Sequence, residues 1–235
     1  MSDYDLTVIT PTTGRNSLYF LIDSLKRQQV AINHIILWDN KHVGKFLYPD
    51  PITLLVGKPT DLDYDSTLYK ANNVLLKENM SSEGGAVSPL RAIGLLMATT
   101  EFVTFADDDV IWEPEHAKSM IDSIGDKKWV FCKRKMWAKS DDSNYEYLGV
   151  DEFESMGDEA KTSYKSVDNN CMMFRRRFGT SAACMYREAT EYNDNKLMYD
   201  FLMKYAKEPA KTNVATINQV CPDRLINFFR ENCTI

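Results

Sequence analysis

Short β-branched runs alternate with stretches of helical period along the first half of the chain. Leu6 to Thr10 is an apolar run closed by Pro11 and followed by Thr12, Thr13 and Gly14, the pattern of a buried strand entering a loop. Leu18, Leu21, Ile22 and Leu25 then recur at helical spacing over 17–29, with Asn16 or Ser17 as the cap. Residues 34–38, His-Ile-Ile-Leu-Trp, predict a second strand ending at Asp39-Asn40. Strand, helix, strand makes a parallel βαβ unit the economical topology. Ile52 to Val56 predicts a third short strand, and the polar stretch 57–82 predicts loops with one short helix.

After Gly84-Gly85, residues 88–98 predict a helix in which Ser88 caps and Pro89 occupies the first turn. It leads into an apolar strand at 102–106 and then into Asp107, Asp108 and Asp109. Pro114 to Ile124 predicts a helix stopped by Gly125, and Trp129 to Cys132 a strand. Residues 140–166, rich in Asp, Glu, Ser and Gly, predict a long excursion or flap. An amphipathic helix over 195–206 presents Leu197, Phe201, Leu202 and Tyr205 on one face. The expected organisation is an α/β domain over 1–208, with a nucleotide-binding part to about 118, an acceptor-side part over 119–208, and a tail at 209–235 packing on the domain or a partner.

Composition narrows the class. The 235 residues are 44% hydrophobic, enough for one substantial core, and neither an internal repeat nor a Pro/Gly/Ser-rich linker divides them. A net charge of −6 argues against a surface that coats nucleic acid or an anionic membrane as a whole, while leaving room for a local basic patch. The five cysteines form no Cys-x-x-Cys pair, which suggests neither a disulfide framework nor a zinc site and fits a reducing cytoplasm. Met1-Ser-Asp-Tyr-Asp lacks the charged and apolar regions of a signal peptide, and no stretch reaches eighteen apolar residues, so no transmembrane segment is expected. The oligomeric state is not legible.

The acidic triplet is the chemical centre of the sequence. Three adjacent carboxylates repel one another unless a cation or dense hydrogen bonding compensates, and all-oxygen ligands suit a hard divalent ion, Mg²⁺ or Mn²⁺. In an open α/β sheet, ligands sit outside the carboxyl ends of the strands, where Asp107 to Asp109 emerge if 102–106 is a strand; the alternative is a solvated acidic loop at the strand end.

Taken in order, these pieces resemble glycosyltransferase family 2, inverting enzymes of the GT-A fold with a mixed, mostly parallel sheet flanked by helices. Val8 to Arg15 is similar to that family's opening strand and loop, and Ile35 to Asp39 to its second strand. Gly85 to Asp109 carries the strongest likeness. It holds a glycine turn, a helix with Arg91 and Gly94 where the family has Ala-Arg-Asn-x-Gly, and a strand entering Asp-x-Asp. The family's Asn is Ala92 here.

The resemblance implies a UDP-sugar donor, Mn²⁺ or Mg²⁺, and inverting transfer to an acceptor hydroxyl. Asp109 and Asp107 are the implied metal ligands, with Asp107 also contacting the sugar or ribose and Asp108 supporting. Thr10, Pro11, Arg15, Asp39 and Arg91 are the implied donor contacts. The general base is expected at the start of the late helix. Aligning on Asp200-Phe201-Leu202 puts Met198 at the usual position, so either Asp200 by a shifted register or Asp194 from the preceding loop would serve.

The acceptor is a glycan or polysaccharide precursor, or a modified base in viral DNA, which would place the enzyme in a host cytoplasm. Lys127-Lys128, Lys133-Arg134-Lys135 and Arg175-Arg176-Arg177, interleaved with Trp129, Trp137, Phe174 and Phe178, are either a solvated face, the reading favoured for such charge runs, or the mixture that stacking and phosphate contact use. His116 reads as a helix-surface histidine. Two rival readings stay open. One is a degenerate GT-A fold that binds nucleotide or a partner without turnover. The other is a sugar nucleotidyltransferase, whose glycine-rich first loop is poorly matched by Pro11 to Arg15.

Overall fold

The computed structural model describes residues 4–15, 17–39, 68–76, 87–139, 145–151, 165–188, 194–221 and 223–233. The strand expected at Ile52–Val56, the cap Asn16 and much of the 140–166 excursion lie outside these residues.

The elements in chain order are β1 (Leu6–Thr12), α1 (Leu18–Lys26), β2 (Ile32–Asp39), β3 (Tyr69–Leu76), α2 (Ser88–Met97), β4 (Phe102–Phe105) and β5 (Val110–Trp112). There follow α3 (His116–Ile124), β6 (Trp129–Lys139), β7 (Tyr145–Val150), β8 (Met172–Arg175), α4 (Arg176–Ala182), α5 (Asp194–Tyr205), β9 (Ala210–Val220) and α6 (Ile226–Asn232). One sheet runs β3-β2-β1-β4-β8-β6-β9-β5, and β7 pairs with β6. Its first half, β3-β2-β1-β4, is parallel throughout, while β8 enters antiparallel between β4 and β6. This is the expected GT-A α/β class.

β1 and β2 are buried at every position, with α2 packed against both, which explains their continuous rather than alternating apolar runs. α2 lies against them through Gly94. A Cβ there would fall 2.3 Å from Ile9 Cγ2 and 3.1 Å from Leu37 Cδ1. The glycine is therefore what lets the helix approach the sheet, and with it the site that the helix serves.

Four expectations are corrected. Tyr69–Leu76, read as part of a loop region, is the edge strand β3. Its central Asn72 and Asn73 look like turn residues but bond Asn33 and, at 3.0 Å, the Trp38 indole N–H. β6 runs on to Lys139 and pairs with β7 inside the segment read as an excursion. The presumed tail from 209 onward supplies β9, which lies between β6 and β5 in the sheet. On α5 the buried face carries Met198, Tyr199, Phe201 and Leu202, whereas Tyr205 is exposed.

Candidate donor and metal site

β1 outlasts its neighbour. The last paired residues of β1 and β4 are Ile9 and Phe105, and the Ala106 N–H still reaches the Ile9 carbonyl at 3.0 Å. Pro11, two residues on, faces the same side, where β4 has already turned away, so its missing N–H breaks no ladder. The loop that follows is fixed by Thr12, whose hydroxyl donates to Asp108 Oδ2 at 2.6 Å and accepts from the Gly14 N–H at 2.9 Å. Gly14 takes φ +86, and a Cβ there would press on the Trp38 ring at 3.2 Å. This geometry delivers Arg15 onto the triplet at the carboxyl edge of the parallel strands, where α/β folds bind ligands.

Arg15 bridges Asp108 and, at 3.1 Å, Asp109. Arg91 reaches from α2 to Asp107 at 2.6 Å and to Asp194 at the start of α5. Burial opposes the charge on both arginines, but these carboxylates outweigh it and hold both guanidiniums firmly protonated. Among the described residues, four carboxylates thus share these two guanidiniums, an excess of two negative charges. Burial raises the Asp109 carboxyl to about 6, with Arg15 opposing and Asp107 and Asp108 adding to the rise. Burial likewise raises Asp108 and Asp194 against their arginine partners.

Three residues that sequence reasoning missed complete the site. The Asn170 Oδ1 accepts from the Asp107 N–H at 2.6 Å, and its Nδ2 donates to Asp107 Oδ2 at 3.0 Å and Asp168 Oδ1 at 2.8 Å. Asp168 in turn accepts from Arg134 Nη1 at 2.6 Å. Asn195 closes the far side, donating to Asp168 at 3.3 Å. The visible signal is the polar run Asp168-Asn169-Asn170 directly before an apolar strand, the same arrangement as the acidic triplet in mirror order.

The remaining candidates separate. Asp39 closes β2 at the same sheet edge and is buried. Thr10 is fully buried and its hydroxyl bonds His34 Nε2 at 2.8 Å, so it faces the sheet interior rather than the loop. Asp194 lies in the cluster. Asp200, six residues further along the same helix and so about 240° around it, is exposed and pairs with Lys196. His116, expected on a surface, is buried and bonds Thr216 at 2.7 Å.

The stacking candidates Trp129 and Phe174 are also core residues, because β6 and β8 are interior strands with both faces covered. Arg134 is buried because β6 alternates inward and outward beyond Cys132, and with Asp151 and Asp168 as partners it is not part of a surface patch, though Lys133 and Lys135 stay partly exposed. Arg175, Arg176 and Arg177 line a cleft of about 390 Å³ together with Glu101 and Asp126. That cleft lies at the opposite end of β4 from the triplet.

The donor set fits a hard divalent ion. Its ligand atoms are carboxylate oxygens, and Asp107 and Asp109 keep a quarter and a third of their side chains exposed; an ion there would replace contacts that Arg91, Asn170 and Arg15 now make to these two carboxylates. Among the described residues no three acidic, His or Cys side chains form a complete cage. Mg²⁺ and its relatives need none, binding through one or two carboxylates with phosphate and water oxygens.

No protein-family model matches the chain, and no curated protein is similar in sequence. Solved structures are similar in shape. The 1–349 piece of S. aureus TarS superposes with a TM-score of 0.59 at 18% identity, covering 98% of this chain and 66% of that one. The same piece in complex with UDP-GlcNAc gives 0.59 at 17%, covering 93% and 59%, and in complex with UDP 0.55 at 18%, covering 98% and 67%. This chain spans about two thirds of that piece or less, and the likeness establishes a GT-A-like fold.

Proposed function

We propose that this chain is a metal-dependent glycosyltransferase that moves a sugar from a nucleoside-diphosphate sugar, a UDP-sugar, to an acceptor hydroxyl with inversion. The observation that carries the reading is the under-neutralised carboxylate cluster at the carboxyl edge of the parallel half-sheet, beside the β1 loop. The complexes of the similarly folded TarS with UDP-GlcNAc and UDP support the choice of donor.

Asp109 and Asp107 would hold Mn²⁺ or Mg²⁺, which when bound supplies Lewis-acid stabilisation of charge developing on the leaving diphosphate. Arg15, nearly half exposed, is free to turn from Asp109 to phosphate oxygens once the carboxylates have another counter-charge. Asp39 and the β1 loop flank the nucleoside end. Asp194 is the general base of this reading. It stands on the far side of Arg91 from Asp107, and burial raises its carboxyl while Arg91 opposes the rise. The acceptor of this reading is a glycan hydroxyl, since Trp129, Phe174 and Arg134 of the proposed nucleic-acid mixture are interior.

A panel of UDP-sugars, UDP-GlcNAc among them, tests the reading by UDP release with Mn²⁺ and with EDTA. Mn²⁺-dependent release from at least one donor is expected. Failure of every donor to bind with Mn²⁺ would favour the partner-binding reading, and transfer of the nucleotide itself would favour the nucleotidyltransferase.

A further inference from the structure

The cluster is one stretch of a closed ring. Asp107 accepts from Arg91, Arg91 donates to Asp194, and the next residue, Asn195, donates its backbone N–H to Asp194 Oδ1 at 2.8 Å. Asn195 Nδ2 reaches Asp168 at 3.3 Å, Asp168 accepts from Asn170 at 2.8 Å, and Asn170 returns to Asp107 at 3.0 Å. Arg134 anchors the ring from below. Its Nη1 donates to Asp168 at 2.6 Å and to Gln219 of β9 at 2.8 Å, and its Nε donates to Asp151 at 2.8 Å. The ring therefore joins α2, the β4 loop, the segment before β8 and the start of α5 to β6, β9 and the residue that follows β7.

The amide at Asn170 is chemically specific. It lies between two carboxylates, Asp107 and Asp168, and gives one hydrogen to each while its oxygen takes the Asp107 backbone N–H. A neutral double donor can hold two like charges at fixed spacing without adding charge. Asn195 does the corresponding work at the other end, accepting the Asn169 N–H at 2.9 Å while donating to Asp168.

We infer that Asn170 and Asn195 are positioning residues that set the distance between the donor-side carboxylate Asp107 and the base Asp194, with Arg134 as their shared anchor. The inference rests on the function proposed above. It assigns separate consequences to the two ends: Asn170 governs the carboxylate that meets the ion and diphosphate, and Asn195 governs the one that meets the acceptor.

The test measures UDP affinity by calorimetry with Mn²⁺, and kcat and KM for UDP-GlcNAc by UDP release, in the wild type, Asn170→Ser and Asn195→Ser. Asn170→Ser should weaken Mn²⁺-dependent UDP binding about tenfold, the usual effect of losing a partner that orients a metal ligand. Asn195→Ser should leave that affinity within about twofold and lower kcat about tenfold at unchanged KM, since only the base moves. A purely structural role would instead lower both quantities together in step with the thermal midpoint, and that result overturns the inference, as does wild-type behaviour in both variants. Should Asn170→Ser not fold, Asn195→Ser at its partly exposed helix start decides alone, an unchanged kcat overturning the inference. A wild type that binds no UDP with Mn²⁺ overturns the donor reading itself, a result distinct from wild-type binding that survives both substitutions.

Discussion

Burial lifts the Asp109 carboxyl to about 6, so below that pH an incoming cation must displace a proton from it. Mn²⁺ affinity should therefore rise with pH up to about 6 and level off above it, a profile that calorimetry at stepped pH would show. A flat profile from pH 5 to 7 would remove Asp109 from the ligand set. His34 gives a second residue-scale prediction. Fully buried between Thr10 and Tyr69, it is lowered by desolvation to about 3, so the unfolded chain takes up a proton below about 6.5 that the folded chain refuses. Stability is therefore lost as pH falls from about 6.5 toward 3, by on the order of a few kcal/mol. Urea titrations should show that loss and a shallower one in His34→Gln; equal slopes would refute it. At this scale the acidic triplet was legible because charge repulsion is written in composition. Asn195 was not, since a neutral amide has no spacing signature until the fold gives it a partner, and Asn170 was marked only by the polar run that precedes β8. Arg134 was misread because strand alternation buries it while Lys133 and Lys135 stay partly exposed.

Among the elements, α2 bears most directly on the site because it carries both Gly94 and Arg91. Gly94→Ala would set a methyl against the buried Ile9 and Leu37 side chains, closest to the β-branched Ile9, costing about 1–3 kcal/mol of overpacking. Donor affinity should fall with it as Arg91 is pushed off Asp107. Chemical denaturation and UDP binding would measure the two effects, and full retention of both would contradict the packing account. Strands were readable where they are central and continuously apolar, as in β1, β2 and β4. The edge strand β3 was not, because partial burial leaves its positions polar and its asparagines are spent on neighbouring strands rather than turns. α5 was placed within a residue, yet its buried face was misjudged, and that face decides that Asp194 and not Asp200 joins the cluster.

Across the whole molecule, the sheet joins two halves that the sequence did not show to be continuous. The order of strands and helices before the triplet gave a parallel βαβ start and the resemblance to glycosyltransferase family 2 implied the GT-A class, whereas β9 arrives from the far end of the chain and its pairing with β6 and β5 is non-local. Removing residues 209–235 should thus cost the fold rather than trim a tail, with loss of the cooperative thermal transition in circular dichroism. A truncated chain that melts like the full one would contradict the topology. The site gathers parts from both halves, and its unmet charge is what the proposed cation answers. The direct test is a UDP titration of the wild type and Asp109→Asn, each in Mn²⁺ and in EDTA. UDP should bind the wild type at least about tenfold tighter with Mn²⁺ than without, and Asp109→Asn should erase that difference while melting like the wild type. Equal UDP affinity with and without the ion, or an Asp109→Asn variant that keeps the full Mn²⁺ effect, would contradict the account.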